Sequence, residues 1–375
     1  MAVEGFKAGL EDVVANTSEI CFIDGHEGRL VFRGYNVADL AETTSFEEVV
    51  YLLWNGDLPN QSQLAELKAE LGASAPLSQS VKDLLRSLPH DTHPMDALRT
   101  AISLSGIYDP DGNSMTVEAN HRKAVRLVAQ VPTIVASFDR LRHNQQPVEP
   151  DPSLSRAEDF LAMLHGQKPK ALHASVFNTA LILHADHELN ASTFSARVTA
   201  GTLSDIYSAI TSAVGTLKGP LHGGANEQVM YMLGKIGTVE NAKPWITDAL
   251  TRKEKIMGFG HRVYRTEDPR AIILRRLSKK VGEDAGDLKW YNMLNEVREA
   301  IMGSKKLYPN VDLYSGSVYA QMGIPTDIFT PVFAMSRVSG WTAHVLEQYQ
   351  NNRLIRPRAE YTGPTRRQFV PLAQR

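Results

Sequence analysis

Strand-forming patterning is confined to one place in this chain. Ile20-Cys21-Phe22-Ile23 and Arg29-Leu30-Val31-Phe32 are short runs rich in β-branched and aromatic residues, separated by Asp24-Gly25-His26-Glu27-Gly28. That is the pattern of a β-hairpin with glycines in its turn. Beyond residue 35 apolar residues recur at the helical period, and prolines and glycines cut the run into segments. One hairpin cannot supply a sandwich, a barrel or a doubly wound sheet, so the core must form by packing helix on helix. The expected fold is mainly α, with a small N-terminal β-hairpin.

Ser45-Phe46-Glu47-Glu48 is a capping box that opens a helix carrying Val49, Leu52 and Leu53, stopped by Gly56 and Pro59. Leu64, Leu67 and Leu71 mark the next helix, and Pro94 the first turn of another. Residues 117–142 read as a long helical run that Pro132 should kink or split. Residues 143–152, polar with three prolines, read as an exposed loop. Helical patterning returns over 157–164 and 172–189. Residues 192–217, rich in Ala, Ser and Thr, read as one buried helix ended by Gly219-Pro220. Further helices are predicted over 227–233, 239–250, 271–281 and 287–302. A last one, over 332–350, should be packed on both sides around Gly340-Trp341. Residues 353–375, with three prolines and six arginines, read as an extended arm.

A chain of 375 residues is long for a single core, so one large domain plus a smaller one is expected. The breaks at Lys218-Gly219-Pro220 and Gly323-Ile324-Pro325 would set a small domain, 219–325, inside a large one made of 1–218 and 326–375. A net charge of −2 offers no general attraction to nucleic acid or to an anionic membrane. Cys21 is the only cysteine, which rules out an intrachain disulfide and a thiolate metal cluster. The N-terminal residues show neither a basic, apolar secretion signal nor an Arg-rich transit peptide, so a cytoplasmic location is expected.

Three stretches carry residues suited to acid–base work. Met257-Gly258-Phe259-Gly260-His261-Arg262-Val263-Tyr264-Arg265, continuing to Asp268-Pro269-Arg270, combines close backbone approach at two glycines, one imidazole and fixed positive charge. That suits an anionic substrate with a carbonyl to polarise. In Gly219 to Glu227, His222 stands between helix breakers at the start of a helix, whose positive end should keep the imidazole neutral and a hydrogen-bond donor. In Leu307 to Gly316, Asp312 follows a proline turn among apolar neighbours that should raise its pKa. Each residue alone also fits a structural role, a satisfied histidine or a helix cap. His184 and His187 have the spacing of metal ligands on a helix face, but their order is not that of a zincin and no third ligand is evident. No metal is expected. Neither a nucleophile elbow nor a P-loop occurs.

Taken together, Gly219 to Glu227, Gly258 to Arg270 and Pro309 to Gly316 resemble the citrate synthase family in order and spacing. His184-Ala185-Asp186-His187-Glu188, Ser336-Arg337 and the ending Arg356-Pro357-Arg358-Ala359-Glu360-Tyr361-Thr362-Gly363-Pro364 reinforce the likeness. The resemblance implies a two-domain helical homodimer that condenses acetyl-CoA with oxaloacetate and hydrolyses the citryl thioester. No cofactor is implied, because acetyl-CoA is a substrate. By the same resemblance Asp312 is the base, His222 binds the thioester oxygen and His261 polarises the ketone. His187, Arg270 and Arg337 would hold oxaloacetate, with Arg356 donated by the neighbouring subunit. Met257, Gly258, Phe259, Gly260 and Arg265 would hold CoA, with Lys305 and Lys306 against its phosphates. The alternatives are 2-methylcitrate synthase, which uses propionyl-CoA, and a CoA- or dicarboxylate-binding helical protein without turnover.

Overall fold

Where strand patterning was expected, the chain forms a three-stranded antiparallel sheet. β1 (Cys21–Asp24) pairs with β2 (Arg29–Phe32), Cys21 opposite Phe32 and Asp24 opposite Arg29. β3 (Tyr35–Asn36) then pairs back on β2. β3 goes beyond the predicted hairpin, since two residues are too few to show an alternating pattern. Arg33 and Gly34 make the connecting turn at φ 48° and 92°. This computed structural model describes residues 7–11, 13–305 and 307–375.

Sixteen helices follow among the described residues. The first eight are α1 (Val37–Thr43), α2 (Phe46–Asn55), α3 (Gln61–Ser74), α4 (Gln79–Ser87), α5 (Pro94–Tyr108), α6 (Val117–Arg142), α7 (Arg156–His165) and α8 (Ala171–His184). The rest are α9 (Ala191–Gly201), α10 (Ile206–Leu217), α11 (Ala225–Ile236), α12 (Val239–Thr251), α13 (Pro269–Ala285), α14 (Lys289–Lys305), α15 (Val311–Gln321) and α16 (Phe329–Gln350). The Ser45–Glu48 capping box forms at α2, with Glu48 accepting from the Ser45 N–H at 2.7 Å and the Ser45 hydroxyl accepting from the Glu48 N–H at 3.3 Å.

α1, α4 and α15 form where no helix is predicted, and three further differences concern predicted helices. Residues 192–217 are two helices and not one: Leu203 adopts φ 64°, and Asp205 caps α10 by accepting from the Ser208 N–H at 3.0 Å. The Ala/Ser/Thr composition is the same on both sides of the break, so periodicity could not show it. α6 continues unbroken through Pro132; its buried neighbours Val131, Ile134 and Val135 hold the helix where one hydrogen bond is lost. α8 stops at His184, so residues 185–190 leave the helix and carry His187 in a loop.

α16 is the axis of the fold. Its residues from Phe329 to Val345 are buried, and it packs against α2, α5, α6, α8, α9, α10 and α11. This helix is packed on both sides, as its sequence predicts. Its start is tied to α11: the Glu227 carboxylate accepts from the Thr330 hydroxyl and from the Thr330 N–H (3.3 Å). α11 to α15 pack mainly on one another, and they meet the rest through α13 against α1 and α8 and through α11 against α16. At the end of α16, Gln348 donates to the Arg353 carbonyl oxygen (3.3 Å) and Asn352 to the Gly201 carbonyl oxygen (3.2 Å). Beyond this root the chain is extended and exposed up to a single turn at Leu372–Gln374. Among the described residues no helix is long and apolar enough to cross a membrane.

Gly340 lets α16 approach residues 185–186 closely. A Cβ there would overlap the Ala185 carbonyl oxygen and the Asp186 carboxylate. Gly303 in α14 is also helical but has nothing within 4 Å of such a Cβ. Gly340→Ala should therefore lower the thermal midpoint, by overpacking that costs about 1–3 kcal/mol. Gly303→Ala should hold or raise it, because alanine is the better helix former by about 1 kcal/mol. Equal midpoints for the two variants would contradict this packing.

Candidate active site

Residues 258–260 and 308–310 meet as a single antiparallel bridge, Phe259 opposite Pro309. The Gly260 N–H donates to the Tyr308 carbonyl oxygen (2.9 Å) and the Asn310 N–H to that of Gly258 (3.0 Å). Both bonds flank the Phe259–Pro309 pair, so the missing N–H of proline costs nothing there. Gly258 and Gly260 sit at φ 86° and 81°. At Gly258 a Cβ would also strike Leu313, 2.8 Å from its Cδ1. Asn310 locks the junction twice. Its Nδ2 donates to the Gly260 carbonyl oxygen (3.0 Å), and its Oδ1 caps α15 by accepting from the Asp312 N–H (3.0 Å). His261 and Asp312, 51 residues apart in number, thus leave the two ends of one small hydrogen-bonded knot.

The imidazoles are held neutral in defined tautomers. His261 Nδ1 accepts from the backbone N–H groups of Val263 (3.0 Å) and Tyr264 (3.1 Å), so its proton lies on Nε2. Burial, and then the positive charge of Arg270, lowers its pKa to about 4. His222 Nε2 accepts from the Ser192 N–H (3.4 Å), which can only donate, so the ring proton lies on Nδ1; the Ser192 hydroxyl stands 2.8 Å from the same nitrogen and donates to Asn190 Oδ1 (2.7 Å). Its pKa also falls to about 4, through burial and then Arg337. His222 lies in the turn before α11 and not on the helix, so burial replaces the expected helix dipole as the cause. His187, its ring centre 5.1 Å from that of His261, is buried with Nε2 unpartnered and is pushed well below the ordinary histidine range by burial and then Arg270.

Asp312 is the converse case. Its Oδ1 is buried without a hydrogen-bond partner. Burial raises its pKa to about 7 against the opposing pull of Arg270 and Arg337. Those arginines are themselves buried, at 2% and 1% exposure. Arg270 is held by Asp268, which accepts from its Nε (3.0 Å) and Nη2 (2.7 Å) and caps α13. Arg337 donates from Nε to the His184 carbonyl oxygen (2.7 Å) and lies over the Phe333 ring at 4.7 Å. Among the described residues no carboxylate is in ion-pair contact with Arg337, and burial lowers its pKa to about 10. The structure therefore gathers His187, His222, His261, Arg270, Arg337 and Asp312 into one electrostatically coupled group.

The other expected site residues are spread around it. Met257 is half-buried beside the bridge. Arg265 is exposed, its N–H donating to the Gly25 carbonyl oxygen in the β1–β2 turn at 2.8 Å. Lys305 is exposed at the end of α14, and Lys306 lies outside the described residues. Arg356 is exposed on the C-terminal arm and is not brought to the group within this chain. Among the described residues no cluster of three or more His, Cys, Asp or Glu side chains could hold a metal ion. A cavity of about 170 Å3 between α4, α6 and residues 146–149 lies apart from all of these residues.

Sequence reasoning missed the supporting residues Ser192, Asn310 and Asp186. Asp186, buried, accepts from the Glu188 N–H at 3.1 Å and pairs with His344 (3.3 Å). Glu188 takes φ 54°, a conformation unusual for a side-chain-bearing residue, immediately after His187. Asp186 was within the quoted His184–Glu188 stretch, but a carboxylate there carries no pattern that marks it as buried.

A family model described as "Citrate synthase, C-terminal domain" matches residues 9–358. Citrate synthase 2 of Bacillus subtilis is 55% identical over 98% of this chain and 98% of its own length. A 2-methylcitrate synthase of Corynebacterium glutamicum is 42% identical, covering 98% of each. A solved ternary complex of carboxymethyl coenzyme A and oxaloacetate with citrate synthase from Thermoplasma acidophilum matches with a TM-score of 0.94 at 36% identity, covering 100% of both chains. These likenesses mark an enzyme that transfers an acyl group. The chain belongs to the citrate synthase family.

The two kinds of pKa shift pull stability in opposite directions. Between an ordinary 3.8 and about 7 the folded chain keeps a proton on Asp312 that the unfolded chain has lost, so this group costs stability as pH rises through that window. Between about 4 and 6.5 the unfolded chain takes protons that His222 and His261 refuse when folded, so they cost stability as pH falls. Asp312→Asn should thus raise the thermal midpoint at pH 8, with the gain shrinking toward pH 5. A variant destabilised equally at both pH values would contradict an unpartnered buried carboxylate.

Proposed function

We propose that this chain condenses acetyl-CoA with oxaloacetate and hydrolyses the citryl-CoA formed, releasing citrate and CoA. One observation carries the reading: an unpartnered carboxylate with a pKa near neutrality stands with two neutral imidazoles whose free nitrogens carry protons. Asp312 takes a proton from the methyl carbon of the thioester, while His222 Nδ1–H binds the thioester oxygen on which negative charge grows. The enolate carbon attacks the ketone carbon of oxaloacetate, whose oxygen accepts from His261 Nε2–H. One carbon–carbon bond forms, the ketone oxygen takes the Nε2 proton of His261, and the proton that Asp312 removed makes good that loss by way of solvent, so none is gained or lost overall. Water then attacks the thioester carbonyl, the carbon–sulfur bond breaks and CoA leaves as its thiol. A neutral imidazole donor suits this better than imidazolium, because a proton donor of matched affinity stabilises the enolate without being drained at rest.

Arg270, Arg337 and His187 hold the two carboxylates of oxaloacetate, and the guanidinium fork matches a carboxylate in geometry. Arg356 completes the clamp from the neighbouring subunit of a homodimer; its exposure on an extended arm supports that reading. CoA binds along Met257, Gly258, Phe259 and Gly260 with Arg265, and its phosphates lie toward Lys305 and Lys306. Residues 219–325 form a small domain that closes on a large one, 1–218 with 326–375, and excludes water from the reaction. No cofactor or metal is required, and the enzyme works in the cytoplasm. A second reading, 2-methylcitrate synthase with propionyl-CoA as donor, uses the same three residues and is supported by the Corynebacterium relative.

Purified chain given oxaloacetate should release free CoA from acetyl-CoA faster than from propionyl-CoA. A reversed preference would favour the second reading, and no release from either would leave only a binding protein. Mixing Arg356→Ala with His261→Ala chains, each inactive alone, should restore part of the activity once subunits exchange. No rescue after confirmed exchange would refute the shared site.

A further inference from the structure

Tyr264 lies inside the candidate site and has no role in the chemistry above. It is 4% exposed. Its ring centre lies 4.7 Å from that of His261 and 5.7 Å from that of His187, so it walls both imidazoles. Its backbone N–H is one of the two that fix the His261 tautomer. Its hydroxyl, however, is buried and makes no hydrogen bond.

A phenylalanine would pack against the two imidazoles equally well and leave no polar atom unsatisfied. A buried hydroxyl without a partner costs stability, so its presence calls for a partner that arrives later. Burial keeps the phenol protonated well above its ordinary range, and the charges that act on it most strongly are Arg270 and then Asp268. Asp268 is already engaged by both the side chain and the backbone of Arg270. Cys21 and Glu188 act on the phenol more weakly, and an acceptor held by Arg270 beside these rings would have the unpartnered Tyr264 O–H available as a further donor.

We propose that the Tyr264 hydroxyl donates a hydrogen bond to a carboxylate oxygen of the bound four-carbon keto-dicarboxylate, fixing its rotation so that the ketone oxygen meets His261 Nε2. This rests on the oxaloacetate reading of the site. The hydroxyl contributes to binding and orientation and takes no proton in the reaction.

Tyr264→Phe tests it, because the ring and the backbone N–H both remain. Oxaloacetate binding is measured by calorimetry without any acyl-CoA, beside steady-state kinetics and the ligand-free thermal midpoint. The variant should bind oxaloacetate about tenfold more weakly, which is the loss of one hydrogen bond to a charged group. Its KM for oxaloacetate should rise by a similar factor, with the KM for acetyl-CoA within twofold, and the ligand-free midpoint should hold or rise. Oxaloacetate affinity within twofold of the parent would overturn the proposal, and so would a lower ligand-free midpoint, which would mean the hydroxyl has a partner within the protein. If the parent turns over while the variant binds equally well, only the Tyr264 assignment fails. If the parent itself does not bind oxaloacetate, the functional reading fails first.

Discussion

The knot between residues 258–260 and 308–310 is the constraint on which the site depends. Two backbone bonds and the Asn310 amide join a loop that carries His261 to a helix that carries Asp312. A third backbone bond, from the Asp268 N–H to the Pro309 carbonyl oxygen (3.2 Å), brings the cap of α13, and with it Arg270, into the same junction. Glycine at 258 and 260 is what lets the backbone turn here, and proline at 309 fits because its position needs no donor. The third catalytic candidate, His222, reaches the group by another route. Its turn is pinned to α16 through Thr330, which donates to the Gly223 carbonyl oxygen (3.3 Å) and to Glu227. α16 in turn presents Arg337.

Burial then does the electrostatic tuning. Taking a charge out of water disfavours the charged form whichever sign it has. The same dry environment therefore lowers three histidines and raises one aspartate, and no special partner is needed for either shift. The two arginines restrain the rise at Asp312 and deepen the fall at the histidines. Such a site is unstable by construction: it holds unpartnered Asp312 and His187 atoms that water or a ligand would satisfy. The buried helices around α16 supply the stability that tolerates this, and a ligand carrying two carboxylates would pair the buried arginines and offer His187 an acceptor.

Much of this was legible in the residues. Capping at Ser45, the arm after residue 352, the double-sided packing of α16 and the helical class all followed from local chemistry that the structure repeats. Family likeness located His222, His261 and Asp312, and burial with apolar neighbours gave the direction of the Asp312 shift. The misses share one physical cause, that they depend on contacts distant in sequence or on a single backbone angle. β3 exists because β2 is there to pair with it. The break at Leu203 is one positive φ inside a uniform composition. Ser192 matters because residue 222 folds back onto it. Arg356 lies on an exposed arm, away from the gathered group, and local pattern says nothing of what such an arm meets.

The most direct test of the central claim is a crystal structure of the chain with oxaloacetate and carboxymethyl coenzyme A bound. His261 Nε2 should lie within hydrogen-bond reach, ~2.7–3.2 Å, of the ketone oxygen. His222 Nδ1 and the Asp312 carboxylate should meet the carboxymethyl group of the analogue. Electron density with Asp312 and the two imidazoles lining separate cavities, or with the 258–310 junction parted on ligand binding, would contradict that claim.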